Sequence, residues 1–196
     1  MRKLGHQACV LPMAIRGVDP AMRVAGEAWT VEGHVDRTLD PDLTLLEWTR
    51  LLSRAPRGKV LVLQPHTRDI ALMGELSAKA LAMKGVRGFV VEAPCRDVAE
   101  VAALGFPVFA AGATPSDITG RWVAHAFGRP IDIGGVTIAS GDFVAGDRDG
   151  VVAIPRALAK RVVAETERVM GTEGAVRKAI LGGMDPYKAY LKHRKF

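Results

Sequence analysis

The sequence predicts one α/β domain that joins a parallel sheet to antiparallel hairpins. Residues 58–112 read strand, helix, strand, helix, strand, the mark of a parallel sheet with right-handed crossovers. Residues 130–155, PIDIGGVTIASGDFVAGDRDGVVAIP, are short alternating runs punctuated by GG, SGD and RDG, which argues for hairpins. At 196 residues without repeats or a low-complexity linker, the chain suits a single domain with a sizeable core.

Each element has its own signal. Residues 22–35 alternate around Val24, Ala28 and Val31, predicting a strand after the turn at Pro20. Residues 39–55 read as a helix, with Leu45, Leu46, Trp48, Leu51 and Leu52 on one side and Asp40 or Asp42 near its start. A turn and a short apolar strand occupy 56–64. In 74–85, Leu76, Ala80 and Met83 recur at helical spacing and Gly85 suits the C-terminal cap. Strand 86–93, helix 97–105 and strand 106–112 follow. Residues 157–181 form a long amphipathic helix, with a break expected at Gly171 or Gly174. Met13, Met22, Met73 and Met83 read as core filler.

Composition narrows the function. The chain is 48% hydrophobic and 24% charged, an ordinary globular mixture. No apolar stretch approaches the ~20 residues of a membrane helix, and the N-terminus does not read as a signal peptide. Cys9 and Cys95 lie far apart and fit a reducing, cytoplasmic setting; a disulfide between them has nothing specific in its favour. The net charge of +6 resides wholly from Arg156 onward, where ten Lys/Arg face four Asp/Glu. With little aromatic interleaving, that basic tail reads as a solvated surface, and nucleic acid ranks below a small molecule as partner.

Ligands of open α/β sheets gather beyond the carboxyl ends of the parallel strands. Two groups fall there: Glu75-Leu76-Ser77, opening a helix, and Arg96-Asp97, following a strand. A helix N-terminus attracts a carboxylate, Arg96 supplies a planar clamp, and Glu75 and Asp97 are hard oxygen donors suited to octahedral Mg²⁺. Together they suit a small keto acid. Taken singly, the same residues also suit a turn, a helix cap and a Glu75–Lys79 pair. His34, His66 and His125 follow no metal-ligand spacing and read as surface or packing residues. Cys95 reads as structural, although Arg96 beside it would lower a thiol pKa. Nucleotide-binding glycine loops and Gly-x-Ser-x-Gly are absent.

Glu75, twenty residues, then Arg96-Asp97 resembles the D/E-x20-R-D pattern of the RraA-like proteins. That family includes metal-dependent 4-hydroxy-4-methyl-2-oxoglutarate / 4-carboxy-4-hydroxy-2-oxoadipate aldolases. GELSAKALAMKGVRGFVVEAPCRDVAEVAALGFPVFAAGATP and IDIGGVTIASGDFVAGDRDGVVAIP are similar to the family's two central blocks, and the likeness runs from about residue 20 to 182. It implies a three-layer β/β/α swivelling fold with a parallel central sheet and a second antiparallel sheet. On this reading residues 1–196 are one RraA-like domain, its core at about 20–155 and a C-terminal helical segment at about 156–196.

The resemblance also implies roles. Asp97 and Glu75 ligate Mg²⁺ or Mn²⁺, and the amides of Glu75, Leu76 and Ser77 hold a pyruvyl carboxylate. Arg96 binds the keto oxygen and stabilises the enolate. Glu173 is the carboxylate that a neighbouring subunit contributes to an intersubunit site in a trimer or dimer of trimers. Ala93 stands where relatives usually show Gly, and with Pro94 is expected to narrow the pocket or shift its substrate. The implied reaction is class II retro-aldol cleavage to pyruvate, with oxaloacetate decarboxylation as a side reaction. The rival role, known among family members, is non-catalytic regulation of an RNase E-type ribonuclease.

Overall fold

The computed structural model describes residues 1–195. The chain divides into two compact units, Met1–Arg156 and Ala157–Phe196. The first contains strands β1 (Arg16–Gly17), β2 (Val24–Val35), β3 (Val60–Gln64), β4 (Gly88–Val91), β5 (Val108–Ala110), β6 (Trp122–Phe127), β7 (Ile131–Ile133), β8 (Val136–Ile138), β9 (Phe143–Asp147) and β10 (Gly150–Ile154). Its helices are α1 (Pro41–Arg54), α2 (Glu75–Met83) and α3 (Val98–Leu104).

The large sheet runs β1-β5-β4-β3-β2-β9-β10, with β6 also on β2. From β2 through β5 the strands are parallel and adjacent in sequence order. One crossover hand along such a series puts α1, α2 and α3 on the same face, and α1 meets α2 as α2 meets α3. β3, β4 and β5 are almost wholly buried apolar runs, as expected of parallel strands covered on both sides. The antiparallel part shares β2: its first residues pair with β9, its last with β6. β7 and β8 form a separate hairpin that alternates buried and exposed residues. The α/β fold with parallel and antiparallel sheet is thus the one the sequence predicts.

Local chemistry explains the boundaries. Asp40 caps α1, its carboxylate accepting from the amides of Asp42 and Leu43, with Pro41 at the first helical position. α2 ends in a Schellman turn: Gly85, at φ 77°, donates to the Ala82 carbonyl and Val86 to that of Leu81. Asp142 ties the turn before β9, accepting from Ala139 and Arg156 amides at 2.9 Å each.

Some expectations need correction. Leu45 and Leu46 are exposed, and α1 buries Thr44, Trp48 and Leu51 instead. The stripe Leu76, Ala80, Met83 faces outward, because Ala78 and Leu81 are the residues α2 buries. Met13 and Met83 are likewise exposed, whereas Met22 and Met73 are core. Spacing reveals which residues share a face, not which face meets the sheet.

The second unit consists of α4 (Ala159–Leu181) and α5 (Pro186–His193). α4 is continuous through Gly171 and Gly174, contrary to the expected break. Neither glycine has an atom within 4 Å of where a Cβ would stand. Each therefore weakens the helix without a packing reason, and Gly171→Ala and Gly174→Ala should each stabilise it by about 0.5–1 kcal/mol, read as a higher melting midpoint. α5 begins at an Asp185 cap followed by Pro186, a start signal present in the sequence but outside the elements predicted from it.

Candidate functional site

The segment after β4 is fastened on both sides. Pro94 accepts from the Leu72 amide and Arg96 donates to the Met73 carbonyl, at 3.1 and 2.8 Å. On the other side Ala93 accepts from Ala111, Cys95 donates to Gly112 and accepts from Thr114, at 2.9 to 3.0 Å. The chain therefore reaches Arg96 as an extension of the sheet, between the loops that follow β3 and β5. Every backbone group holding it is paired, which fixes where the guanidinium starts.

Asp97 closes this segment and caps α3 in left-handed backbone, φ 53° and ψ 43°. For a residue other than glycine that conformation costs about 1–3 kcal/mol and is seen where surrounding structure enforces it. Here the turn aims the carboxylate at the start of α2: Asp97 Oδ2 accepts from the Glu75 amide at 3.0 Å. Arg96 Nε lies 3.9 Å from the same oxygen. Gly74, the N-cap of α2, makes the approach possible. A Cβ there would stand 2.6 Å from Asp97 Oδ2 and 3.0 Å from both Cγ and Nε of Arg96.

The first turn of α2 offers further donors. The amides of Leu76 and Ser77 have no carbonyl four residues earlier within the helix, so they remain open to an anion at its positive end. The Ser77 hydroxyl is already used, accepting from Trp48 Nε1 at 2.9 Å, which ties α1 to α2. Arg96 borders two hollows. One, of about 340 Å³, includes Gly74, Leu76, Ser77 and Arg96 beside the apolar Trp48 and Leu72. The other, about 330 Å³, includes Arg96, Asp97 and Thr114.

Glu75 lines neither hollow, and its amide is already given to Asp97, so of the three amides expected to hold a carboxylate only those of Leu76 and Ser77 are left for one. Ala93 is fully buried and lines neither, so its methyl lies beneath the loop and does not narrow either hollow. Cys95 is buried, and its thiol is pushed up to about 11 by desolvation first and the Asp97 charge second. That reverses the lowering expected from Arg96: the thiol is structural. Both cysteines are free. Glu173 lies in the second unit, paired with Lys195 at 3.1 Å.

The donor set has a definite chemical character. One carboxylate, that of Asp97, borders a hollow at this helix end, Glu75 lines neither hollow, and among the described residues no group of three or more His, Cys, Asp or Glu side chains stands ready-made around an ion. Such a sparse all-oxygen set fits Mg²⁺ or Mn²⁺, which keep waters and take further oxygens from a substrate, rather than a closed zinc site.

The fold and site define an α/β protein with an arginine and an aspartate folded against a helix N-terminus. The RraA-like family model, Aldolase/RraA, matches residues 1–153, and the chain belongs to that family. It is 31% identical over 146 residues to a protein of Halalkalibacterium halodurans named "Putative 4-hydroxy-4-methyl-2-oxoglutarate aldolase", covering 73% of this chain and 68% of that one. Protein DlpA of Legionella pneumophila is 26% identical over 172 residues, and there the chain spans 28% of the relative's length. Among solved structures, a protein of Pseudomonas syringae pv. tomato superposes with TM-score 0.87 at 27% identity, over 97% of this chain and 85% of that one. RraAS2 of Streptomyces coelicolor, described as an unusual member of the RNase ES inhibitor RraA protein family, gives 0.79 at 27% identity over 90% and 88%. Among the described residues no helix is long and apolar enough to cross a membrane.

Proposed function

We propose that the chain is a divalent-metal-dependent aldolase that cleaves a 4-hydroxy-2-oxo dicarboxylic or tricarboxylic acid to pyruvate and also decarboxylates oxaloacetate. The observation that carries this is the closure of Arg96 and Asp97 onto the start of α2 across Gly74. The aldolase name of the relative from Halalkalibacterium halodurans supports the same reading.

Asp97 is the residue that would hold Mg²⁺ or Mn²⁺, with Glu75 assigned beside it by family resemblance alone; when bound, the ion would polarise the 2-oxo group and offset developing negative charge. The amides of Leu76 and Ser77, at the positive end of α2, bind the substrate carboxylate. Arg96 donates to the keto oxygen. Water takes the proton of the C4 hydroxyl, the C3–C4 bond breaks, C4 leaves as a carbonyl product, and the electron pair of the broken bond enters a pyruvate enolate. Arg96 faces the enolate oxygen, so its interaction strengthens as charge develops there. Protonation at C3 from solvent then yields pyruvate. Oxaloacetate reaches the same enolate by loss of CO₂. Glu173 is assigned, by family resemblance alone, as a neighbouring subunit's contribution.

The test is oxaloacetate with Mg²⁺, with and without EDTA, following pyruvate. Release that stops on chelation is expected. Metal-independent release would overturn the metal assignment. No release from oxaloacetate or from several 4-hydroxy-2-oxo acids would favour the second reading, a regulator of RNase E-type activity, which the likeness to the Streptomyces protein supports.

Assembly as a trimer or dimer of trimers belongs to this proposal. Leu76 and Met83, 77% and 84% exposed, put an apolar stripe with Ala80 on the outside of one chain. Patches of that kind mark protein contacts. Met83→Glu should lower the mass measured by light scattering; an unmodified chain that is monomeric would sink the idea.

A further inference from the structure

Away from that site, three of the five histidines and one glutamate gather where β2, β6 and the loop after β3 meet. We propose that Glu32, His66 and His125 form a second metal site, selective for a transition ion such as Zn²⁺, with His34 holding His125 from behind.

The backbone is shaped to bring these side chains together. β2 and β6 pair as Val31↔Phe127 and Glu32↔Ala126, then resume at Gly33↔Ala124. His125 is the extra residue of a bulge, a device that re-aims a side chain. At Gly33 a Cβ would collide with the Trp122 indole, so the ring lies directly on the strand. The same indole donates through Nε1 to the Pro65 carbonyl at 2.9 Å. The next residue, His66, takes left-handed backbone, φ 52°. One buried tryptophan thereby packs on the bulged strand pair and anchors the turn that presents His66.

The two imidazoles approach different oxygens of one carboxylate. His66 Nε2 lies 2.8 Å from Glu32 Oε1, and His125 Nε2 lies 3.8 Å from Oε2. Metal–ligand bonds of about 2.0–2.2 Å in a tetrahedron put neighbouring donor atoms roughly 3.3–3.5 Å apart, between the two values. His125 Nδ1 is 3.1 Å from His34 Nδ1, so one of these nitrogens carries the proton of that hydrogen bond. With the proton on His125, its Nε2 lone pair faces the Glu32 carboxylate across a gap too long for a hydrogen bond. A cation resolves that confrontation, and His34 then acts as the outer partner that metal-bound histidines ordinarily have. The three donors do not yet enclose a point; the ion draws the 3.8 Å gap closed. Two imidazoles and one carboxylate favour Zn²⁺, Ni²⁺ or Cu²⁺ over Mg²⁺, the reverse of the Asp97 site. Three protein ligands leave a position for water or an exchangeable anion. A hollow of about 260 Å³ lined by Gln64, His66, Arg68 and Glu92 adjoins it.

The experiment is calorimetric titration of the untagged full chain with ZnCl₂ in excess Mg²⁺, together with NMR of the histidine rings. One Zn²⁺ per chain is expected, with the His66 and His125 ring signals shifting and those of His6 and His193 unmoved. Glu32→Gln and His125→Ala should each weaken binding at least tenfold, His34→Ala by about tenfold, and Asp97→Asn not at all. Absence of zinc binding by the unmodified chain would overturn the proposal. So would binding that survives both Glu32→Gln and His125→Ala, or that disappears with Asp97→Asn. The ring shifts are read on the unmodified chain, so they decide the matter even where a variant fails to fold.

Discussion

Arg96→Lys should lower kcat for pyruvate release by about 100- to 1000-fold, the loss typical of removing one donor to a developing oxyanion. Lysine keeps the charge but not the planar fork that addresses a carboxylate and a keto oxygen together. The backbone around position 96 is held by its own hydrogen bonds to Met73, Gly112 and Thr114, so the fold should survive the exchange. KM should change less than kcat, because the interaction is strongest once charge has moved onto oxygen. Steady-state kinetics on oxaloacetate, with circular dichroism as a fold control, decide it. Turnover equal to that of the unmodified chain would remove Arg96 from the chemistry.

Gly74→Ala is the second large effect, and it has a different cause. Gly74 has extended backbone, φ −149° and ψ 179°, which alanine adopts freely. The added methyl instead meets Asp97 Oδ2 at 2.6 Å and Arg96 at 3.0 Å. Relief requires both side chains to withdraw from the helix start, at a stability cost of about 1–3 kcal/mol. Activity should fall to a small fraction while most of the melting temperature is kept. If kcat/KM were unchanged, the proximity of Arg96 and Asp97 to that helix end would be irrelevant to function.

Much of this was legible because the governing signals are local. Apolar runs at 60–64, 88–91 and 108–110 become strands wherever both faces are covered, and caps such as Asp40 and Gly85 act within one turn. The Arg96-Asp97 pair stood out through a family pattern, and its setting at a strand end was inferable from strand–helix alternation. What escaped depends on contacts distant in sequence. β6, with its half-exposed run WVAHAF, shows no strong period and is a strand because β2 pairs with it. His34, His66 and His125 carry no mutual spacing, and only sheet register and a bulge bring them together. Periodicity marks Leu76, Ala80 and Met83 as one face of α2 but carries no sign, and that face points outward.

The twelve-residue β2 has a consequence for how the chain is made. Residues 24–27 pair with 143–146, whereas residues 28–32 pair with β3 only some thirty positions on. A ribosome adding roughly 5–20 residues per second would expose the first third of this strand for about 6–24 s before its partner emerges. Through that interval the nascent protein carries an open backbone edge. A chaperone that masks extended segments, or a slower codon run after residue 64, should therefore alter the yield of folded chain more than any change within the C-terminal helices.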